Sequence, residues 1–591
     1  MKRCPQCGRE YDASMMFCLD DGAELLYGPA NGSVSIVDSP ATAILSEPGA
    51  VSTGFLERES PTRAQVHTTD HTAIFPGTEA EPRESLRSLS ERQSLSAHRA
   101  AKPIAALAVA AVILIAGFFG YRYFNSSSGG PISSIAVLPF QNRSGDPNSE
   151  YLSDGLAESL IYRLSQIADL KVSPTSSVIR YKGKDADVSQ IASELGVDAV
   201  MTGRLAQIGD NLTISVELVD VRNNKLLWGE QYERKMSELL TTQREIAATI
   251  TQKLQLKLSG NEPAVTKKYT ESNEAYQLYL KGRFFWNKRT GESLKQAVEF
   301  FEQAIGKDPA FALAYSGLAE SYVLFPNYSV AMSLDSMPKA KTAALRAIEL
   351  DDSLAEPHVA LGIYYSNFAW NLPRAEKEFR RAIELDPNYA TAHQQFAIEC
   401  LSVMGRFDEA VSEGKRAEEL DPLSPIIGAD LGNVLMRARR FDESIAQLDR
   451  VLKSDPNFWV AYWYLGMAHE GKGQSAEAAS AYRKGLALND NPWLKALLIQ
   501  SVARLGERQE AERLLVVLEA EAERRYVSKA SLAIARAALG EKDKAFSLLN
   551  EELAERSSRP QVLSVNPIWD DLRADPRFAD VVRRVELAKL D

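Results

Sequence analysis

The 591-residue chain reads as a multidomain protein: a small metal-stapled module, one transmembrane helix, a mixed α/β domain and an all-α solenoid of paired helices. Three observations predict this. The run from Pro103 to Tyr121, PIAALAVAAVILIAGFFGY, carries no charge. Residues 132–258 switch between helical and strand periodicity. From about residue 273 onward, similar phrases return every 34 or 35 residues.

As a helix, the uncharged run extends roughly 28 Å, close to the thickness of a hydrocarbon core. About a hundred residues precede it, so it reads as a retained span rather than a cleaved signal peptide. Arg83, Arg87, Arg92, Arg99 and Lys102 come before it, whereas only Arg122 follows closely. The positive-inside rule then places the amino terminus in the cytoplasm and the residues after Phe124 outside the cytoplasmic membrane.

Composition is ordinary for folded protein, 45% apolar and 25% charged. The net charge of −11 argues against a general nucleic-acid binder, because affinity for phosphate backbones comes mainly from Lys and Arg. Of four cysteines, three fall within the first 18 residues, and Cys400 alone lies beyond the span. No disulfide framework is available outside.

Cys4-Pro-Gln-Cys7-Gly opens a knuckle, and Cys18 and Asp21 repeat the same two-residue separation. Two such pairs can close a tetrahedral site around an ion. This half-and-half pattern over residues 1–27 resembles a zinc ribbon, with Cys4, Cys7, Cys18 and Asp21 as ligands of a structural Zn2+. The usual fourth cysteine is absent; Asp21, Asp20 or a water fills that corner. A redox Cys-x-x-Cys lacks the surrounding strand and helix pattern it would need.

Residues 28–101 are rich in Ser, Thr, Pro, Glu and Ala without sustained apolar period, and read as a disordered cytoplasmic tether. Two words recur in it, Thr42-Ala43-Ile44-Leu45 and Thr72-Ala73-Ile74-Phe75. Chance repetition in a low-complexity tether explains them; the sharper reading makes Thr42 and Thr72 phosphosites for an arginine-lined reader.

Beyond the Ser/Gly linker, Ile132 to Phe140 reads as a buried strand and Ser149 to Ile167 as a helix with Leu152, Leu156, Leu160, Ile161 and Leu164 on one side. Strands near Leu170 to Val172 and Val178 to Tyr181 follow, then a helix from Val188 to Leu195. Three successive strands are expected at Ala199 to Gln207, Asn211 to Val221 and Lys225 to Glu233, turning at Gly209-Asp210 and Asn223-Asn224. A helix from Met236 to Leu258 closes the domain. The words Ile135-Ala-Val-Leu-Pro-Phe140, Ser144-Gly-Asp146, Tyr151-Leu-Ser-Asp-Gly-Leu156, Arg180-Tyr-Lys-Gly-Lys184 and Leu195-Gly-Val197 resemble the amino-terminal-type domain of the TolB translocation protein. In similar chains the cytoplasmic slot holds a kinase, a winged-helix domain or a nucleotide cyclase; here it holds only the knuckle and tether. Residues 132–258 contain neither histidine nor cysteine, which removes the commonest general base and the strongest nucleophile. Asp146, Asp154, Asp185 and Asp198 fall near predicted turns and helix starts, where capping is the expected role.

Pro387, Pro422 and Pro456 are spaced by 35 and 34 residues, with Asp490 in the equivalent place 34 later, after the words AIELDP, AEELDP and VLKSDP. Large residues at position 4, Leu or Phe at 7 and Gly or Ala at 8 recur as Tyr315, Leu318 and Ala319; His358, Leu361 and Gly362; His393, Phe396 and Ala397; Tyr462, Leu465 and Gly466. This phase is that of tetratricopeptide (TPR) repeats, expected over 273–556 as about seven helical pairs. A ten-residue excess is expected as a loop at Phe325 to Met337, and a capping helix within 557–591. His358, His393, His469 and Cys400 fall at packing positions. In such arrays the first helix of each pair lines the concave face, so inward positions give Gln394, Asn433 and Trp463 as candidate ligand contacts.

The sequence therefore predicts a non-enzymatic, membrane-anchored scaffold that binds proteins or peptides outside the cytoplasmic membrane. The alternative is a single-pass signalling or transcription regulator relaying an external signal through the zinc module. No small-molecule substrate is implied, and a homo-oligomer is compatible with the pattern.

Overall fold

A computed structural model describes residues 2–3, 10–11, 132–146, 149–167, 169–184, 187–254, 267–328, 330–556 and 560–587. The tether, the uncharged run at 103–121, Thr42, Thr72 and the four expected zinc ligands lie outside the described residues. Among the described residues no helix is long and apolar enough to cross a membrane, and no cluster of three or more His, Cys, Asp or Glu is placed to hold a metal ion. In the amino-terminal unit, Lys2–Arg3 (β1) and Glu10–Tyr11 (β2) pair antiparallel, Lys2 opposite Tyr11 and Arg3 opposite Glu10.

The α/β domain is a mixed sheet of order β5-β3-β6-β7-β8, formed by Lys171–Val172 (β5), Ser134–Val137 (β3), Ala199–Ile208 (β6), Asn211–Asp220 (β7) and Lys225–Lys235 (β8); Gln141–Asn142 (β4) also pairs with β6. The pairs β3/β5 and β3/β6 are parallel. Parallel neighbours need helical crossovers, supplied by Glu150–Ser165 (α1) and Val188–Leu195 (α3). The last three strands form an antiparallel meander with Gly209 and Asn224 at positive φ in its turns. In β7, Leu212, Ile214, Val216 and Leu218 are all buried, as alternation requires. The expected strand at Val178 to Tyr181 is instead a helical turn, Thr175–Val178 (α2), running into a 3-10 turn, Ile179–Tyr181. Its side chains are tied to the repeats, as described below, and this docking overrides the local β propensity of Val178 and Ile179. A 3-10 turn at Met236–Glu238 and Leu239–Lys253 (α4) close the domain.

Eight helical pairs follow: Asn273–Asn287 with Gly291–Lys307 (α5, α6), Ala312–Leu324 with Ser333–Leu350 (α7, α8), Glu356–Asn367 with Leu372–Leu385 (α9, α10), Ala390–Phe396 with Phe407–Leu420 (α11, α12), Pro425–Arg437 with Phe441–Ser454 (α13, α14), Trp459–Gly471 with Ser475–Leu488 (α15, α16), Pro492–Arg504 with Arg508–Ala522 (α17, α18) and Lys529–Ala538 with Lys542–Glu555 (α19, α20). This is one more than the expected seven, and the later pairs carry the weaker signature. Counting back seven residues gives Gly432 before the left-handed Arg439 and Gly466 before Gly473 in the fifth and sixth pairs, and Ile499 before Gly506 in the seventh. The 35-residue spacing between Pro387 and Pro422 also has a structural cause. After α11 the chain makes one π turn, Ala397–Leu401, which absorbs the extra residue.

The expected loop at 325–337 is shorter, because α8 starts at Ser333 and carries Pro338 inside its first turns. The expected capping helix is broken into 3-10 turns at Pro560–Ser564 and Pro567–Trp569 and helices Asp570–Arg573 (α21) and Pro576–Leu587 (α22). Pro576 cannot continue α21, and its fixed φ suits the first position of a new helix.

Candidate protein-interaction face

First helices of successive pairs pack on one another along the array, α7 on α9, α13 on α15 and α17 on α19 among them. Small residues at the eighth position allow the second helix of a pair to close in. A Cβ on Gly466 would sit 2.3 Å from Cε1 of Tyr482, a fully buried ring. The face formed by the first helices is the candidate interaction surface, and the chain itself covers much of it.

At the first pairs the covering element is α1. Arg283 of α5 donates to Glu158 of α1, Nε to Oε1 at 2.8 Å, and also pairs with Glu320 of α7 at 3.0 Å. Asn287 donates to the other Glu158 oxygen at 2.8 Å. Burial pulls the Arg283 pKa down, and the carboxylates of Glu158 and Glu320 more than reverse this, holding it well above its ordinary value. Tyr276 and Ser159 share a hydroxyl hydrogen bond of 2.7 Å, and a Cβ on Gly155 would meet Leu280 at 3.0 Å. Arg163, only 1% exposed, donates to Gln243 and to the Lys267 carbonyl. One continuous apolar core joins the sheet, α1, α4 and α5. Nearby, burial pushes the Glu356 carboxyl up to about 8, and its Oε2 has no hydrogen-bond partner.

The α/β domain also reaches the turn between the fourth and fifth pairs. Ser176 and Ser177 both donate to the Asp421 carboxylate, and Arg180 donates to the Leu423 carbonyl at 2.9 Å. Burial raises the Asp421 pKa, against the lowering effect of the two hydroxyls. These contacts hold the 175–181 segment in its helical turns.

Of the residues singled out from sequence, Gln394 and Asn433 lie on first helices but are buried. Gln394 donates to Asp430 at 2.7 Å, and Tyr464 donates to the other Asp430 oxygen at 3.3 Å, linking three successive first helices. Asn433 leaves its Oδ1 without a partner. Trp463 is half-buried, stacks on Trp459 with planes 1° apart, and meets Trp493 edge-on. The indole N–H groups of Trp463 and Trp493 are buried and without partners. The three residues thus belong to one stretch of the inner face, from the fourth to the sixth pair.

The expected packing roles hold for His358 and His393, which are buried against Glu378 and Glu413 at 2.7 and 2.5 Å. Burial lifts the Cys400 thiol to about 12, so it is an inert core residue. Asp154 differs from its expected capping role. It sits inside α1 and binds Lys182 at 2.6 Å, next to Glu150. Asp198 instead fastens the start of β3 by accepting from the Ser133 backbone and hydroxyl. Asp185 lies outside the described residues. Reasoning from sequence missed Gln500 and Arg504, which contact the chain's own carboxy-terminal segment, and Glu470, which pairs with Arg504.

Comparison with known proteins follows this division. Residues 132–249 match the second domain of HilA/YgeH-like transcriptional regulators, and residues 429–491 match the tetratricopeptide repeat. The carboxy-terminal helical array is a TPR solenoid, preceded by an α/β region. The chain is 31% identical over 235 residues to a protein named putative adenylate cyclase 3 from Rhizobium meliloti. It is 27% identical over 236 residues to the transcriptional regulator HilA of Salmonella typhimurium. Each match takes in 39% of this chain and 40% of the relative. A solved structure titled for the Cut9-Hcn1 hetero-tetramer aligns over 58% of this chain and 63% of its own at 15% identity, with a TM-score of 0.37.

Proposed function

We propose that this protein is a non-enzymatic, membrane-anchored scaffold whose α/β and TPR unit binds proteins or peptides outside the cytoplasmic membrane. The observation that carries the reading is the inner face between the fourth and seventh pairs. There Asn433 Oδ1 and the Trp463 and Trp493 indole N–H groups are buried without partners, beside stacked aromatic rings. Such atoms cost free energy unless a ligand or water supplies the missing hydrogen bonds. Amides and indoles on a concave face suit an extended peptide, whose backbone offers donors and acceptors at regular spacing. Gln394 would contribute on exchanging its bond to Asp430.

The anchor in this reading is residues 103–121, supported by their lack of charge and by the basic residues preceding them. The amino-terminal module is proposed to hold structural zinc through Cys4, Cys7, Cys18 and Asp21. The donor set suits Zn2+, and in the sequence Cys4 and Cys7 fall between the paired strands β1 and β2. The TolB-like reading of 132–258 rests on the sequence words given above.

A second reading, a single-pass regulator, is favoured by the match of residues 132–249 to a domain of transcriptional regulators. Crosslinking pull-down from each side of the membrane separates the two. Constant partners on the outer side support the scaffold, and cytoplasmic partners that change with envelope conditions support the regulator. A reactive cysteine placed at an exposed site such as Val516, labelled in intact cells by a membrane-impermeant reagent, tests the topology; labelling only after lysis overturns it.

A further inference from the structure

After the last helical pair the chain turns back onto the first helices. The turn is made by Arg556, at φ +47, which donates at 2.7 Å to the carbonyl of Phe368, 188 residues earlier in sequence, and lies over the Trp370 ring at 4.2 Å. Residues 562–573, VLSVNPIWDDLR, then run along the inner face of the fifth to seventh pairs. Leu563, Ile568, Trp569 and Leu572 are buried in the same apolar cluster as Met467, Leu497 and Val502. Gln500 donates its Nε2 to the Ile568 carbonyl at 3.0 Å. Two cations of the groove read the acidic pair that follows: Arg439 binds Asp570 at 2.8 Å, and Arg504 binds Asp571 at 2.6 Å while also pairing with Glu470; within the segment Arg573 binds Asp570 as well, at 2.6 Å. A side-chain amide on a backbone carbonyl, apolar anchors in a groove and arginines on carboxylates are the contacts by which a protein holds a foreign peptide.

The seat is imperfect. A recess of about 280 Å³, half open to solvent, lies beside the segment, lined by Met467, Glu470, Gly471, Arg504, Pro567 and Ile568. The Gln500 Oε1 atom is buried with no hydrogen-bond partner. An optimally fitted structural cap would satisfy that oxygen.

We propose that residues 562–573 are an internal ligand, and that the inner face of the fifth to seventh pairs takes, in their place, a partner segment of short helical turns with Ile- or Trp-like anchors followed by two carboxylates. The inference rests on the scaffold reading and adds the partner's chemistry and its regulation. Chain connectivity supplies the internal segment at a high effective concentration, of millimolar order. A partner therefore binds only when its own segment fits better or when the internal one is released.

The test uses the full chain in detergent and a fluorescent peptide of sequence VLSVNPIWDDLR. Replacing Asp570→Lys and Asp571→Lys in the protein removes the Arg439 and Arg504 contacts of the internal segment, together with its own Arg573–Asp570 pair, and leaves the groove intact. We expect this variant to bind the peptide at least tenfold more tightly than the wild type does, and Arg504→Glu in the same background to abolish the gain. Equal affinity for the variant and the wild type overturns the proposal. Independently of any variant, millimolar peptide added to the wild type should raise hydrogen exchange in residues 562–573; unchanged exchange with bound peptide overturns it. A panel of unrelated extended peptides separates this claim from the scaffold reading. Panel peptides that bind both proteins equally overturn the internal ligand and keep the scaffold. Failure of both proteins to bind the peptide or any panel member overturns both.

Discussion

Glu158 and Arg283 should be energetically coupled across the boundary between the α/β domain and the repeats. Their side chains are 11% and 16% exposed, and Arg283 reaches Glu158 through both Nε and Nη2, at 2.8 and 2.7 Å. Glu158→Ala leaves Arg283 with Glu320 alone and removes the acceptor of Asn287. Breaking a buried, hydrogen-bonded pair costs about 3–5 kcal/mol, and the surviving Glu320 contact with residual solvent access lowers this to about 2–3 kcal/mol. Arg283→Met should cost a similar amount. The double variant should cost less than the sum, giving a coupling of about 1.5–2 kcal/mol. Native-state hydrogen exchange in α1 and α5 is the assay, because the pair ties these helices together. A coupling below about 0.5 kcal/mol, or protection of α1 indifferent to Arg283, would refute the claim that the two regions share one core.

Gly466→Val should destabilise the sixth pair by about 2–4 kcal/mol in urea denaturation, since the new side chain meets the fully buried Tyr482 ring where no space exists; a cost under about 0.5 kcal/mol would contradict the packing. Glu356→Gln should stabilise the protein increasingly as pH rises. The native carboxyl, lifted to about 8 by burial, keeps its proton where the unfolded chain has lost it, so its contribution is complete below pH 4.5 and disappears as pH climbs through about 8. Denaturation at pH 4 and pH 8 should therefore show little difference between variant and wild type at the lower pH and about 1–3 kcal/mol at the higher. A fragment of residues 1–28 should bind about one zinc per chain, and Cys18→Ser should abolish binding at neutral pH; metal analysis of both fragments checks this.

The sheet was legible because its strands alternate cleanly: Leu212 to Leu218 specify which side of β7 is buried without help from the rest of the chain. The repeats were legible where position 8 is small and Asp-Pro ends the pair. They were obscure in the seventh pair, where Ile499 replaces the small residue while Gly506 and Gly540 still mark the period. The 175–181 segment was misjudged because Ser176, Ser177 and Arg180 are anchored by Asp421 and Leu423, about 240 residues away. For the same reason, position within a repeat pointed to Gln394, Asn433 and Trp463 as inner-face residues but gave no sign that two of them are buried. Gln500 and Arg504 became visible only once the carboxy-terminal segment was seen lying across them.

Photocrosslinking in the native host, from full-length protein carrying a benzophenone side chain at one position, addresses the interaction face most directly. Placed at Trp463, on the inner face, the probe should trap discrete partner proteins in addition to the chain itself. Placed at Val516, 65% exposed on a second helix, it should trap none of them. Partners captured equally from both positions, or only from Val516, would contradict the assignment of the inner face as the binding surface.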